Sequence, residues 1–252
     1  MTVPHALNDP APSKSGQSME KSLNYYSSGR KDILPLLEPI VGKTVLDIGC
    51  GAGGTGRLLK ERGCAALYGI ECIPKAAEIA MQAYDKVHLC PVEQVDFTQY
   101  RNFFDYIICA DVLEHLVDPW SVVETLRETL KPGGSLIASI PNTRNRGIIG
   151  GLLLGSWEYQ SAGLLDKTHL RFFTFQSVVS MFYKAGYTIT SIGPNYESVA
   201  DEIVPKLNSS PAKKMIEELI KVLVGQSYTF TDEDMLDLFT IQFLVKAERK
   251  KE

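Results

Sequence analysis

The feature that most constrains this chain is an apolar run that ends in a glycine-rich turn. Residues 45–48 read Val-Leu-Asp-Ile, and glycines follow at positions 49, 51, 53, 54 and 56, before a helix-forming run at 57–62. A strand that ends in such a turn and leads into a helix is the first unit of a nucleotide-binding α/β fold. Glycine permits the tight turn and leaves space for a ligand against the main chain, where a Cβ would collide.

The glycines alone do not decide which ligand this turn binds. Gly49, Gly51 and Gly54 satisfy the G-x-G-x-x-G spacing of dinucleotide sites, which leaves an NAD-type oxidoreductase open. Asp47, two residues before the first glycine, suits a ligand with a positive amino group better than a pyrophosphate. No lysine follows the glycines as it does in a P-loop. S-adenosylmethionine carries an ammonium and a sulfonium without phosphate, so it fits the turn best.

Strands and helices alternate along the rest of the chain. The patterns predict strands over 44–48, 67–70, 86–90, 104–109, 135–140, 187–192 and 238–245, and helices ending near 62 and over 20–37, 74–83, 120–130, 175–185 and 211–224. This alternation is the signature of a parallel, doubly wound α/β sheet. Glu71 follows the second strand, about 20 positions beyond the glycines, where a carboxylate can accept both hydroxyl groups of a ribose.

Length and composition favour one ordinary α/β domain. We predict a disordered tail over 1–19 and a single domain over 20–252, with insertions at about 142–173 and 195–236. A net charge of −4 argues against a nucleic-acid-binding surface. Five cysteines without a C-x-x-C pair, no signal-peptide pattern and no apolar run of membrane-span length predict a reduced, cytoplasmic protein. The sequence leaves the oligomeric state open.

Two segments outside the alternating core are candidates for covering the site. The predicted helix over 20–37 carries Tyr26 and Arg30, and it is interpreted either as a packing helix or as a lid over the cofactor. The insertion at 142–173 and the amphipathic helix at 211–224 fall near the edge where an acceptor would approach. We expect these two to form the acceptor pocket.

With these pieces in order, the chain resembles the class I S-adenosylmethionine-dependent methyltransferases over residues 25–246. The resemblance is carried by the stretch 47–53 (DIGCGAG), Glu71, the stretch 111–116 (DVLEHL) and the stretch 130–134 (LKPGG). It implies a Rossmann-like sheet of seven strands in the order 3-2-1-4-5-7-6, with the last strand antiparallel. The segment 163–174 further resembles a subgroup tied to sugar, polysaccharide and secondary-metabolite methylation.

The resemblance also implies a set of cofactor contacts. The loop after the first strand would hold the methionine part, and Glu71 would hold the ribose. The predicted cofactor-binding residues are Tyr26, Arg30, Asp47, Gly49, Cys50, Gly51, Gly53, Glu71, Cys72, Val92, Glu93 and Asp111. Many relatives have an acid just after the third strand for the adenine amine, whereas this chain has Pro91. That departure leaves the adenine contact to backbone groups or to Glu93.

Two histidines are candidates for catalysis. Methyl transfer from a sulfonium is an in-line displacement that depends on positioning, and a hydroxyl acceptor must also lose its proton. His115 lies just past the fourth strand and His169 lies in the first insertion. A structural role is equally open for each, as a loop cap for His115 and as a partner of Asp166 for His169. The predicted acceptor-binding residues are Trp157, Tyr159, Asp166 and Arg171, with Arg171 alternatively a partner of Asp166.

The predicted function is methyl transfer from S-adenosylmethionine to a small-molecule acceptor, most favourably to a hydroxyl oxygen of a sugar or secondary metabolite. No metal is predicted, because the spacing of Asp111, His115, Asp166 and His169 does not require one and the cysteines lack zinc spacing. A catalytically silent cofactor- or partner-binding module is the alternative. Asp47 and the stretch 111–115 speak against the NAD-type oxidoreductase.

Overall fold

The computed structural model describes residues 29–208 and 211–250. The predicted tail at 1–19 and Tyr26 lie outside the described residues. The α-helix predicted over 20–37 is wrong in its described part, where only Leu34–Leu37 is helical, as a 3-10 turn. Pro35 lacks the N–H that the interior of an α-helix needs, and Glu38, which precedes Pro39, is extended, so an α-helix cannot continue through this segment.

Seven strands form one sheet. They are β1 (Thr44–Ile48), β2 (Ala66–Glu71), β3 (Lys86–Leu89), β4 (Phe104–Ala110), β5 (Leu130–Pro141), β6 (Tyr187–Tyr196) and β7 (Thr240–Arg249). Their order is β3-β2-β1-β4-β5-β7-β6. The pairs among β1 to β5 are parallel, and β7 runs antiparallel to both β5 and β6. The doubly wound fold implied by the sequence is therefore confirmed, including its antiparallel last strand.

The described residues form eight α-helices. They are α1 (Gly54–Glu61), α2 (Pro74–Ala80), α3 (Pro119–Thr129), α4 (Arg146–Leu153), α5 (Phe175–Lys184), α6 (Ala200–Asn208), α7 (Pro211–Val224) and α8 (Asp232–Asp237). The predicted amphipathic helix is confirmed as α7, which ends before Gly225 at a φ of 74°. The sequence did not predict α4, α6 or α8, all of which lie inside the two insertions.

Apolar side chains cover both faces of the sheet. On one face, side chains such as Ile107 and Cys109 pack with Leu126 of α3 and Phe182 of α5. On the opposite face, Ile108 belongs to a second cluster, built from α1 and the 3-10 turn before β1. Each fully buried aliphatic or aromatic side chain contributes roughly 1.5–3 kcal/mol through removal from water, and this burial fixes the carboxyl ends of the strands along one edge.

A buried asparagine ties the two insertions to the sheet. Asn142, at the end of β5, is fully buried, and its amide group donates to Asp237 Oδ1 at 3.0 Å and to the carbonyl oxygens of Asp237 and Thr240. Its own Oδ1 accepts from the backbone N–H of Arg144 at 2.9 Å. The end of α8 and the start of β7 are therefore held against the carboxyl end of β5. Within the described residues, no helix has the length and apolar content to cross a bilayer.

Candidate active site at the carboxyl edge of the sheet

The glycine turn has the backbone conformation that its sequence predicts. Gly49, Gly51 and Gly53 all have positive φ angles, of 67°, 54° and 81°. The backbone N–H groups of Gly49 and Cys50 both donate to the carbonyl oxygen of Ile70 at the end of β2. A Cβ on Gly49 would lie 2.9 Å from Val112 Cγ2. Glycine is thus required here both by conformation and by space.

Glu71 lies beneath this turn and shapes it. The side chain is 5% exposed, its Oε2 accepts from the backbone N–H of Gly51 at 2.8 Å, and its Oε1 accepts from the N–H of Ile73 at 2.8 Å. Each carboxylate oxygen accepts one such bond and has a second lone pair. The geometry leaves the predicted ribose contact open and adds a second role, which is to fix the glycine turn relative to β2.

Asp47 is buried in contact with a tyrosine that the sequence did not single out. It is 3% exposed, and its Oδ2 accepts a hydrogen bond of 2.5 Å from the hydroxyl of Tyr84. Burial and the nearby Glu71 raise the pKa of Asp47 to about 7, although the Tyr84 bond favours the ionised form. A cation placed beside this carboxyl group would therefore interact with it strongly.

Glycines explain why Tyr84 can reach this position. A Cβ on Gly56 would lie 2.3 Å from the Tyr84 ring, and a Cβ on Gly69 would lie 2.7 Å from Cys50 Sγ and 3.0 Å from the same ring. Cys50 is buried and burial raises the pKa of its thiol, so it acts as packing at the back of the turn. Glycines outside the ligand loop were the available sequence signal for Tyr84, because they mark where another side chain approaches the backbone.

Arg30 crosses the carboxyl edge from the N-terminal side. Its backbone N–H donates to Thr55 Oγ1 at 3.1 Å, and its guanidinium pairs with Asp111 and, at 2.7 Å, with Asp32. Asp111 has a φ of 56° and accepts at Oδ1 from Ser139 Oγ at 2.9 Å and from Gln242 Nε2 at 2.6 Å. This cluster joins the ends of β4, β5 and β7. The sequence did not predict Ser139 or Gln242, which approach Asp111 only through the sheet order.

Three further predicted cofactor residues lie along the same edge. Cys72 directly follows β2 and is exposed, and burial of part of its surface beside Glu71 raises the pKa of its thiol. Val92 is buried and Glu93 is exposed, both in the 3-10 turn Val92–Gln94 that follows β3. These positions are where the doubly wound fold binds the ribose and base of a nucleotide. Their contacts with the cofactor stay predictions.

The two candidate histidines face one another. The rings of His115 and His169 lie 4.8 Å apart, edge to face. His115 Nδ1 lies 3.0 Å from the carbonyl oxygen of Thr168, and His169 Nδ1 lies 3.2 Å from the carbonyl oxygen of Leu164. Because a carbonyl oxygen can only accept, each Nδ1 carries the proton, and the lone pair of the neutral ring is at Nε2.

Glu114 adjoins this histidine pair and has an unusual environment. It is 1% exposed, and within the described part of the chain neither carboxylate oxygen has a hydrogen-bond partner. Burial raises the pKa of its carboxyl well above the usual range, and the charge of Asp111 acts in the same direction. The backbone oxygen of Glu114 accepts from the N–H groups of Leu170 and Arg171. These bonds dock the loop that carries His169 against the turn that carries His115.

Four residues were predicted to bind the acceptor, and the structure gives each a local role. Asp166 is buried, and its Oδ1 accepts from the N–H and the hydroxyl of Thr168, which forms a tight turn. Arg171 donates to the carbonyl oxygens of Val117 and Leu170. The exposed rings of Trp157 and Tyr159 lie 6.5 Å apart, near Phe172. None of these contacts tests whether the four residues bind an acceptor.

A cavity of about 680 Å³ lies near the start of β7. It is lined by Arg144 of the first insertion, Ile220 of α7 and Phe243 of β7, among other residues, but by none of the four predicted acceptor residues. Phe243 belongs to the α3 and α5 side of the sheet, whereas its neighbour Gln242 contacts Asp111. The cavity therefore combines segments of the two insertions on the face opposite the Arg30 cluster, and the predicted acceptor pocket stays a prediction.

Comparison with known proteins shows the family of this chain. The profile of the methyltransferase domain family matches residues 22–192. The chain belongs to this methyltransferase family. The fold agrees, since an S-adenosylmethionine-dependent methyltransferase from Mesorhizobium loti superposes with a TM-score of 0.55 at 16% identity, over 86% of this chain and 96% of that one. The magnesium protoporphyrin IX methyltransferase of Synechocystis, crystallised with S-adenosylhomocysteine, superposes with a TM-score of 0.55 at 15% identity, over 90% and 83% of the two chains.

Sequence relatives of this methyltransferase include the ubiquinone biosynthesis O-methyltransferase of Nitrosomonas europaea. It is 32% identical over 123 residues, which cover 43% of this chain and 50% of that protein. The chain spans about half the length of the curated relatives it matches. The narrower likeness to sugar methyltransferases is not reproduced among these relatives, so class I membership is established and the acceptor is not.

The cofactor of this class is S-adenosylmethionine, and the residues at the carboxyl edge fit it. The glycine turn presents backbone where side chains would collide, and the buried Asp47 carboxyl group offers a negative charge to an ammonium. The described edge next to the turn presents no lysine comparable to the P-loop lysine that would pair with a pyrophosphate. The observations thus favour a cationic, phosphate-free ligand.

Proposed function

We propose that this methyltransferase moves the methyl group of S-adenosylmethionine to a hydroxyl oxygen of a small-molecule acceptor. The observation that carries the proposal is the pair of histidines at the carboxyl edge, each with Nδ1 anchored to a carbonyl oxygen. That anchoring leaves an Nε2 lone pair on each neutral ring. A hydroxyl acceptor, unlike a sulfide or an amine already deprotonated, needs such a proton acceptor.

The cofactor side of the reaction requires binding and orientation. Asp47 would pair with the ammonium of the cofactor, and Glu71 would accept from the ribose hydroxyls while it holds the N–H of Gly51. Arg30, which lies across the edge in contact with Asp111, supports the interpretation of its segment as a cover over the cofactor. When bound, the sulfonium supplies an electrophilic methyl carbon, and the protein orders the approach of the acceptor in line with it.

The acceptor side of the reaction involves the first insertion. His169 comes from this insertion, and the loop is held to the turn after β4 through the backbone of Glu114. Trp157, Tyr159 and Phe172 of the same insertion present flat apolar surface. The relatives named as ubiquinone biosynthesis O-methyltransferases favour oxygen as the attacked atom and a hydroxyl on a quinone precursor. The 163–174 segment favours a sugar or secondary-metabolite hydroxyl instead.

The test is transfer of a radiolabelled methyl group from S-adenosylmethionine to two probe acceptors, catechol and a methyl glucoside. We expect S-adenosylhomocysteine to form with at least one of them. Transfer to catechol favours the aromatic acceptor, and transfer to the glucoside favours the sugar. Tight cofactor binding without transfer to any hydroxyl, amine or thiol tested would instead support a catalytically silent binding module.

Variants of His115 and His169 test whether this histidine pair takes part in the reaction. His115→Ala and His169→Ala should lower turnover by about 10²–10⁴ while the cofactor dissociation constant changes less than about threefold. His88→Ala is the matched control, because His88 lies on β3 with its Nε2 2.8 Å from the Tyr100 hydroxyl. Unchanged turnover in both site variants would contradict the proposed role of the pair.

A further inference from the structure

Glu114, His115 and His169 form a compact group of ligand-type side chains. Among the described residues, one ligand atom from each lies within 4.8 Å of the other two. In the sequence, Asp111 and Asp166 are the acidic residues considered with the two histidines, and no metal is predicted there. The structure instead engages Asp111 with Arg30, Ser139 and Gln242, and it places Glu114 beside the imidazoles.

The Glu114 carboxylate lies in surroundings that are unfavourable for an unpaired ionised group. It is almost completely removed from water, and its two oxygens have no hydrogen-bond partner among the described residues. A buried carboxylate in such a place is costly when ionised, and when protonated its O–H still has no acceptor. A positive ion bound by the carboxylate removes both difficulties, because it supplies the compensating charge and satisfies the oxygens directly.

The orientation of the imidazoles suits a metal rather than an organic cation. A metal-binding histidine commonly donates its second ring N–H to a carbonyl or carboxylate, which fixes the tautomer and aims the other nitrogen at the ion. Both rings make the carbonyl contact of this arrangement, through Thr168 for His115 and Leu164 for His169. The anchoring carbonyls belong to the same loop that is docked on the backbone of Glu114.

We propose that Glu114, His115 and His169 bind one divalent transition-metal ion at the carboxyl edge of the sheet. Two imidazole nitrogens and one carboxylate oxygen are a ligand set of Zn²⁺, Co²⁺, Mn²⁺ and Fe²⁺, whereas Mg²⁺ and Ca²⁺ prefer oxygen alone. Ligand atoms about 2.0–2.2 Å from such an ion lie roughly 3 Å from each other, so side-chain rotation must close the widest separation. Three protein ligands leave at least one coordination position open.

The open position gives the ion a role that rests on the proposed methyl transfer. An acceptor hydroxyl bound there has a lowered pKa, so its proton leaves to solvent water. The oxygen then forms its bond to the methyl carbon as the bond from that carbon to sulfur breaks, and neutral S-adenosylhomocysteine is released. With the ion bound, the Nε2 atoms act as ligands, and the ion takes over the activation that a histidine base would otherwise provide.

Zinc binding to the full chain, in the absence of cofactor and acceptor, is the direct test. Protein purified without a histidine tag is treated with EDTA, dialysed and titrated with Zn²⁺ by calorimetry, and Co²⁺ absorption is recorded in parallel. We expect one equivalent to bind, with an affinity more than about tenfold weaker in Glu114→Gln, His115→Ala and His169→Ala. His88→Ala should bind like the wild type.

Thermal melting separates loss of binding from loss of folding. Zn²⁺ should raise the melting temperature of the wild type and of His88→Ala, but not that of the three site variants. Zinc binding that is equally tight in both histidine variants, or absent in the wild type, overturns the metal site. Zinc binding is measured without an acceptor, so methyl transfer that persists in EDTA would reject the role of the ion in the reaction while the proposed function stands. Zinc binding without any methyl transfer would support the metal site and reject the proposed function.

Discussion

The buried carboxyl group of Asp47 makes cofactor affinity depend on pH in a defined direction. Its pKa is about 7, raised by burial and by Glu71, and Tyr84 is its hydrogen-bond partner. If the cofactor ammonium pairs with the ionised form, only that fraction of the protein binds tightly. The fraction is about 9% at pH 6 and about 76% at pH 7.5, so affinity should rise about eightfold between them, or ~1.2 kcal/mol. An α-amino group with a pKa of about 7.7–8.0 is still about 60–75% charged at pH 7.5, which reduces the expected rise to roughly five- to sixfold.

Calorimetry with S-adenosylhomocysteine measures this dependence without turnover. Titrations at pH 6, 6.5, 7 and 7.5, each in two buffers of different ionisation enthalpy, give both the affinity and the protons released. At pH 6 binding should release close to one proton, because most Asp47 carboxyl groups must ionise as the ligand binds. At pH 7.5 the release should be small.

Two variants identify the titrating group. Asp47→Asn keeps an acceptor for the Tyr84 hydroxyl but cannot ionise, so its affinity should be low and nearly independent of pH over the same range. Tyr84→Phe keeps the ring between Gly56 and Gly69 and removes the bond that favours the ionised carboxylate. The midpoint should therefore move to higher pH. A flat profile in the wild type, or the same slope in Asp47→Asn, would refute the assignment of Asp47 to the ammonium.

Two further predictions follow from buried hydrogen bonds. Glu71→Ala should weaken cofactor affinity by about 1.5–3 kcal/mol and also lower the free energy of unfolding by about 1–3 kcal/mol, because the N–H groups of Gly51 and Ile73 lose their acceptor. Calorimetry and urea denaturation measure the two effects, and affinity within a few tenths of a kcal/mol of wild type would exclude the ribose contact. Asn142→Ala should cost about 2–4 kcal/mol of stability in urea, since three acceptors in Asp237 and Thr240 lose a buried donor. A loss below about 0.5 kcal/mol would mean that the start of β7 is held by other contacts.

Local sequence signals predicted most of the sheet. The strand β1 begins and ends at the predicted residues, and α7 runs over 211–224 between its predicted boundaries. These segments were readable because a strand buried on both faces and an amphipathic helix each leave a periodic pattern over consecutive residues. The glycine turn was readable for a similar reason, since the need for positive φ restricts residue type at single positions.

The errors lie where local patterns are weak. The described part of the predicted helix over 20–37 forms only the turn Leu34–Leu37, because Pro35 interrupts it. The helix α8 was missed since it has only six residues, and its start depends on the capping box between Thr231 and Asp234. A helix this short is stable only through its caps and tertiary contacts, which no hydrophobic period reveals.

In the candidate site, too, some features could be predicted from the sequence and others could not. The sequence by itself determined that a glycine turn, Asp47, Glu71 and a histidine after the fourth strand would meet at one edge, because parallel strands present their carboxyl ends together. Tertiary structure alone decided that Tyr84 would bind Asp47, 37 residues away, and that His169 would face His115 across a docked loop. These pairings depend on packing between distant segments, and a linear pattern carries no record of such distances.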